Sequence, residues 1–98
     1  MASDKEYMEF VLEQLSDLES ISYRAMMGEY IIYYHGTVIG GVYDNRFLLK
    51  YTRSVQTLLP EARLELPYDG AKAMLLADVD DKEQLHQLLN TILADLKK

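Results

Sequence analysis

Several residue types are absent or scarce in this sequence of 98 residues, and each shortage excludes a class of protein. Cysteine is absent, which excludes disulfides, thiolate catalysis and cysteine-based metal sites. Proline occurs only twice, while 49% of the residues are hydrophobic and 27% are charged. This is the composition of a folded globular domain rather than a disordered or fibrous chain. No apolar run approaches the about eighteen residues of a membrane-spanning helix, and we expect no membrane contact.

The charge balance is acidic because basic residues are few. Ten Lys and Arg oppose 16 Asp and Glu, which gives a formal net charge of −6. This charge has the wrong sign for free-standing binding to a polyanion, and it argues against direct nucleic-acid binding. The acidic N-terminus lacks the basic and apolar regions of a signal peptide, so a cytoplasmic location is expected. The length predicts a single domain over residues 1–98.

Two segments repeat apolar residues at intervals of three and four, which predicts amphipathic helices. The N-terminal helix ends near residues 17–19, and Ser3 and Glu6 have the spacing of a capping box at its start. The C-terminal helix begins at Asp80, with Glu83 as the reciprocal capping partner. A short middle helix over residues 53–59 follows Thr52, which can cap it.

The segment between the first two helices is rich in Tyr, Ile and Val, which favour strands. Short breakers at Gly28-Glu29, His35-Gly36 and Asp44-Asn45 divide it, and the last two pairs suit two-residue hairpin loops. We therefore predict an antiparallel meander of four strands at about 22–27, 30–34, 37–43 and 46–51. A fifth strand is expected within 72–78. The predicted fold class is α+β with two layers.

Regular pairing across these loops sorts the strand residues onto two faces. One face is almost free of charge and suits the two amphipathic helices, and Gly40 on it would let a helix approach closely. Its other members are Ile31, Tyr33, Val38, Val42, Phe47, Leu49 and Tyr51. The opposite face combines tyrosines, aliphatic residues and two cations, a composition found at protein interfaces. Its candidate interaction residues are Tyr30, Ile32, Tyr34, Ile39, Tyr43, Arg46, Leu48 and Lys50.

Two interpretations of this second face remain open at the level of sequence. It is either a surface for a protein partner or for a second copy of the chain, or it has no binding role. In the second case the short helix or the long connection over residues 61–70 covers it, or its tyrosines are present only because they favour strands. The first interpretation predicts that Tyr30, Tyr34 and Tyr43 are exposed.

Residues that could carry chemistry are few and scattered. His35 falls in a predicted turn and His86 in a predicted helix, and neither has a second ligand at the spacing of a metal site. The carboxylates Asp78, Asp80 and Asp81 are explained by helix capping, and their segment lacks the Gly and Glu positions of a calcium-binding loop. We predict no enzymatic activity, no cofactor and no metal.

The segment that joins the first helix to the meander carries the pattern Y-R-x-M-x-G, in Tyr23, Arg24, Met26 and Gly28. A turn glycine at Gly36, an L-x-K strand end at 48–50 and a proline-tyrosine segment at 66–72 follow it. Over about residues 5–96 the sequence resembles the N-terminal domain of the TfoX/Sxy family. The structural alternative for the pattern is that Gly28 forms a turn and Arg24 anchors an acidic group.

The resemblance implies an α+β fold similar to that of secretion-chaperone-like proteins, and a non-enzymatic role in gene regulation. The named members promote competence-gene transcription in bacteria together with a cyclic-AMP-responsive activator. They carry a second, helical domain, which we do not expect within these 98 residues. We expect a protein-interaction domain that resembles these regulators and acts through a protein partner such as a transcription factor. The alternative is a homodimeric structural or chaperone-like module with no direct transcriptional role.

Overall fold

A computed structural model describes residues 4–97 and confirms the α+β class. An antiparallel sheet in the order β1-β2-β3-β4-β6-β5 is covered by helices on one face. The sheet has one strand more than predicted, because the two-residue β5 is too short to leave a periodic signal. The elements are α1 (Lys5–Gln14), β1 (Ile21–Met26), β2 (Glu29–Tyr34), β3 (Thr37–Tyr43), β4 (Arg46–Leu49), α2 (Arg53–Leu58), β5 (Leu64–Glu65), β6 (Met74–Leu76) and α3 (Lys82–Leu96).

Tight turns of two residues connect the first four strands. The predicted loops His35-Gly36 and Asp44-Asn45 are confirmed, and φ is positive at both positions of each, as in the turns that suit right-twisted hairpins. The first turn lies one residue earlier than predicted. Met27 and Gly28 form it, with φ of 53° and 84°, and Glu29 is the first residue of β2.

A β-bulge between β2 and β3 overturns part of the predicted register. Ile32 pairs with Gly40, but the next residue, Tyr33, pairs with Val38. Ile39 is therefore the extra residue of β3 at this point. Since neighbouring strand residues point to opposite faces, a shift of one residue exchanges the two faces of β2. The prediction that Ile31 pairs with Gly40 is accordingly wrong.

The main core lies between the helices and the face of the sheet that we call the helix face. Three residues predicted to lie on the opposite face, as candidate interaction residues, are buried in this core instead: Ile32, Tyr34 and Ile39. Tyr34 is only 6% exposed, and its hydroxyl donates a hydrogen bond of 2.7 Å to Oδ1 of Asn90 on α3. The buried core comprises Met8, Val11, Leu15, Ile32, Tyr34, Ile39, Val42, Phe47, Leu49, Val55, Leu75, Leu85, Leu88, Leu89 and Ile92.

Helix ends differ from the predictions in detail. Helix α1 stops at Gln14, earlier than expected, and Leu18 beyond it still packs on the core. Asp81, rather than Asp80, caps α3, because its side chain accepts a hydrogen bond from the backbone N–H of Gln84. The predicted capping role of Ser3 lies outside the described residues.

Candidate protein-interaction surface

The second face of the sheet, which we call the reverse face, points away from the helices. The observed register assigns residues from four strands to it. Its β1 and β2 members pair as Ser22 with Tyr33, Arg24 with Ile31, and Met26 with Glu29. Its β3 and β4 members pair as Gly41 with Leu48 and Tyr43 with Arg46.

One half of the reverse face is covered by the segment 66–73, which we call the strap. Arg46 ties the strap to the sheet: Nη1 donates to the carbonyl oxygen of Leu66 over 3.1 Å and forms an ion pair of 2.7 Å with Oε1 of Glu65. Leu48 on this half is fully buried. Burial also raises the pKa of Tyr43, with a smaller contribution from Tyr68 of the strap.

The carboxylate of Glu65 holds two arginines at the start of the strap. Arg63 forms the second ion pair, 3.0 Å from Nη2 to Oε2. The hydrogen bond from Arg46, followed by the charges of both arginines, holds the pKa of Glu65 below its ordinary value. Arg46 is therefore engaged within the chain, and its main contribution is to position the strap.

A groove of about 480 Å³ remains between the strap and the sheet. Val38 and Tyr43 line it from β3, and the half-buried Lys50 lines it just after β4. Lys72 of the strap also borders the groove.

The eight candidate interaction residues are thus divided between the two faces. Tyr43, Arg46 and Leu48 lie on the reverse face, and Lys50, just after β4, lines the groove. The strap covers this half of the reverse face. Tyr30 lies on the helix face, half-buried against the core, together with the buried Ile32, Tyr34 and Ile39. The prediction that all eight form one open surface is wrong, because the bulge exchanges the faces of β2.

The other half of the reverse face carries the surface that sequence reasoning missed. We call it the reverse patch, and it consists of Arg24, Met26, Ile31 and Tyr33, together with Val38 at its border with the groove. Arg24 is exposed and Met26 is 52% exposed, whereas the other three are half-buried. Within residues 4–97, Arg24 makes neither an ion pair nor a side-chain hydrogen bond. The patch therefore combines apolar surface with an available guanidinium group.

Strand β1 also forms one edge of the sheet. Five of its six residues are exposed, and Tyr23 is 51% exposed. Met27, in the turn after it, is 98% exposed at a positive φ, a conformation that L-residues other than Asn, Asp and His rarely adopt. An unbranched apolar side chain is thus held in solvent beside an open strand.

Other groups able to bind ligands are separated from this surface. Among the described residues, 4–97, no three His, Asp or Glu side chains come together as a metal site would require. Nε2 of His86 lies 3.3 Å from the carbonyl oxygen of Gln14, and the ring of His35 lies against that of Tyr34. No helix in this part of the chain is long and apolar enough to cross a membrane.

The sequence profile of the TfoX N-terminal domain matches residues 13–94, a range that contains the whole sheet. The chain belongs to the TfoX N-terminal domain family. It is also similar to a protein of Spirochaeta aurantia described as an uncharacterized 12.7 kDa protein in the trpE 5' region. The identity is 34% over 98 residues, which covers 98% of this chain and 85% of the relative.

The signature positions of this TfoX N-terminal domain all lie in its first hairpin. Gly28, at positive φ, forms the turn, as the structural alternative predicted. Arg24 and Met26 are on the reverse patch, while Tyr23 points to the helix face at the open edge. The suggestion that Arg24 anchors an acidic group of its own chain is wrong for the described residues, 4–97.

Proposed function

We propose that this TfoX N-terminal domain is a non-enzymatic protein-interaction domain that acts in gene regulation through a protein partner. The observation that carries the proposal is the reverse patch, where the guanidinium of Arg24, which has no partner among residues 4–97, lies on the same face as Met26 and Tyr33. Arginine, tyrosine and methionine are enriched where proteins bind one another. Family membership supports a role related to competence regulation.

The charge distribution favours a partner segment that is apolar and carries a carboxylate. Arg24 places a positive charge on the reverse patch, although the formal net charge of the chain is −6. A partner carboxylate can accept paired hydrogen bonds from the guanidinium, while apolar partner groups cover Met26 and Tyr33. The same net charge favours a protein over a nucleic acid as the direct partner.

Affinity capture from the cells that make the protein, followed by titration of the purified partner, tests this proposal. We expect Arg24→Glu to weaken partner binding about tenfold or more, as for a central charged residue of an interface. Arg53→Glu is the matched control, because it makes the same charge change on the exposed surface of α2. Equal binding by the two variants, both with the unfolding temperature of the wild type, would refute the reverse patch as the docking surface.

A further inference from the structure

The open edge of β1 carries a second inference, which does not rest on the proposed function because it uses the outward backbone groups and the helix-face side chains of β1 rather than the reverse patch. We propose that β1 pairs antiparallel with β1 of a second copy of the chain, about a two-fold axis at Tyr23. The two six-stranded sheets then join into one sheet of twelve strands, with the helices of both copies on the same side.

The direction of the backbone groups follows from the pairing of β1 with β2. The carbonyl oxygen of Ser20 accepts a hydrogen bond from the backbone N–H of His35 over 3.0 Å. Since backbone groups alternate along an antiparallel strand, Ser20, Ser22 and Arg24 direct theirs toward β2. The N–H and C=O groups of Ile21, Tyr23 and Ala25 therefore point away from the sheet.

Strand β1 lacks most of the features that protect sheet edges from pairing. It has six residues, contains no proline, and pairs with β2 without a shift from Ile21 to Met26. The opposite edge, β5, has two residues, and one of them, Glu65, forms two ion pairs. Short, charged edges resist strand addition, whereas long and regular ones promote it. Arg24 is the only charged side chain of β1.

The position of Arg24 disfavours one register, and the outward backbone groups favour another. With the two-fold axis at Arg24, two guanidinium groups would lie directly opposite each other, which is destabilising. With the axis at Tyr23, Arg24 lies opposite Ser22 of the second copy. This register also pairs Ile21 with Ala25 and Tyr23 with Tyr23, so that every outward N–H and C=O group of these three residues gains a partner.

The helix-face side chains of β1 also fit those of the second copy when the two-fold axis lies at Tyr23. Tyr23 already contacts Tyr30 edge-to-face, with ring centroids 5.8 Å apart. Across the axis, Tyr23 would meet its own copy, which extends this contact to four rings, and Ile21 would meet the small Ala25. Aromatic and large-with-small apolar pairs stabilise adjacent strands. The edge is thus self-complementary in backbone, charge and side-chain size, which favours a second copy as its occupant.

Single-cysteine cross-linking tests the register directly, because the natural sequence contains no cysteine. Under mild oxidation, Tyr23→Cys should form a disulfide dimer, since directly opposite Cα atoms are about 5.5 Å apart. Arg24→Cys should cross-link at least tenfold more slowly, because its two copies are offset by two residues, beyond disulfide reach. Leu64→Cys, on the exposed part of the β5 edge, is the control for random collision. Cross-linking of Arg24→Cys or Leu64→Cys as fast as Tyr23→Cys would overturn the proposal.

Sedimentation across the micromolar concentration range supplies a second, independent readout. The wild type should show a reversible monomer–dimer equilibrium. Tyr23→Pro removes an outward N–H and leaves the bonds to β2 intact, and Ala25→Lys adds a charge to the edge, so both variants should be monomeric. Tyr33→Ser, in the reverse patch, should still dimerise, which separates this proposal from the partner-binding one. A wild type that remains monomeric at every concentration would contradict the proposal.

Discussion

At the scale of single residues, Gly40 shows why the two central strands can approach so closely. A Cβ atom added there would lie 2.2 Å from the carbonyl oxygen of Leu48 and 3.0 Å from Cα of Leu49. Both are backbone atoms of β4, so they cannot move aside as a flexible side chain could. The glycine is therefore required by the neighbouring strand, while the expectation that it also admits a helix stays a prediction.

We predict that Gly40→Ala lowers the free energy of unfolding by about 2–4 kcal/mol, because the new methyl group forces two backbones apart. Urea unfolding followed by circular dichroism measures this loss. Gly36→Asn is the control. Apart from Gly36 itself and its two chain neighbours, no atom of residues 4–97 lies within 4 Å of a Cβ placed there, and Asn tolerates the positive φ. If Gly40→Ala lowers the free energy of unfolding as little as Gly36→Asn does, the added methyl group does not clash with β4.

At the scale of elements, the start of α2 depends on α3. Both carboxylate oxygens of Asp95 on α3 accept hydrogen bonds from Ser54, 2.8 Å from the backbone N–H and 2.6 Å from the hydroxyl. Thr52, the predicted cap, makes no capping bond with its side chain, and its buried hydroxyl has no partner among residues 4–97. A residue 41 positions away therefore performs the role that local sequence assigned to Thr52.

We predict that Asp95→Ala destabilises the protein by about 1–2 kcal/mol, because it leaves a helix-terminal N–H without its acceptor. Thr52→Val should be neutral or stabilising, since it replaces a buried, unpaired hydroxyl with a methyl group of similar size. Thermal unfolding of the two variants measures both effects. A larger loss for Thr52→Val than for Asp95→Ala would show that Thr52 is the cap after all.

Elements that depend on interactions between residues close in sequence could be predicted, whereas those that depend on distant residues could not. Helical periodicity and turn residues are local signals, and they located all three helices and the turns His35-Gly36 and Asp44-Asn45. The cap from Asp95 and the strand β5 depend on distant partners, which the local sequence does not encode. The bulge had one local signal, the pair Gly40-Gly41, because glycines inside a strand often mark a bulge or a close backbone approach.

At the scale of the whole molecule, the bulge decides which tyrosines and cations are available to partners. The prediction that helices cover one face of the sheet is confirmed, but the prediction that Tyr30, Tyr34 and Tyr43 are exposed is wrong, because Tyr34 is buried and the other two are half-buried. The reverse face still combines aromatic, aliphatic and basic side chains. The residues differ, because the bulge moves Tyr34 into the core and turns Tyr33 outward. The strap covers half of the reverse face through long-range bonds of Arg46 that no spacing in the sequence predicts. Two surfaces are left open, the reverse patch and the edge of the sheet, and both include residues of β1.

The comparison of two adjacent tyrosines tests this arrangement most directly. We predict that Tyr34→Ala lowers the free energy of unfolding by about 3 kcal/mol or more, because it leaves a cavity in the core and removes the hydrogen bond to Asn90. Tyr33→Ala should cost about 1 kcal/mol or less, because its ring packs on the reverse face at the border of solvent. Urea unfolding of both variants gives the two values. A larger loss for Tyr33→Ala than for Tyr34→Ala would contradict the bulged register, and with it the reverse patch.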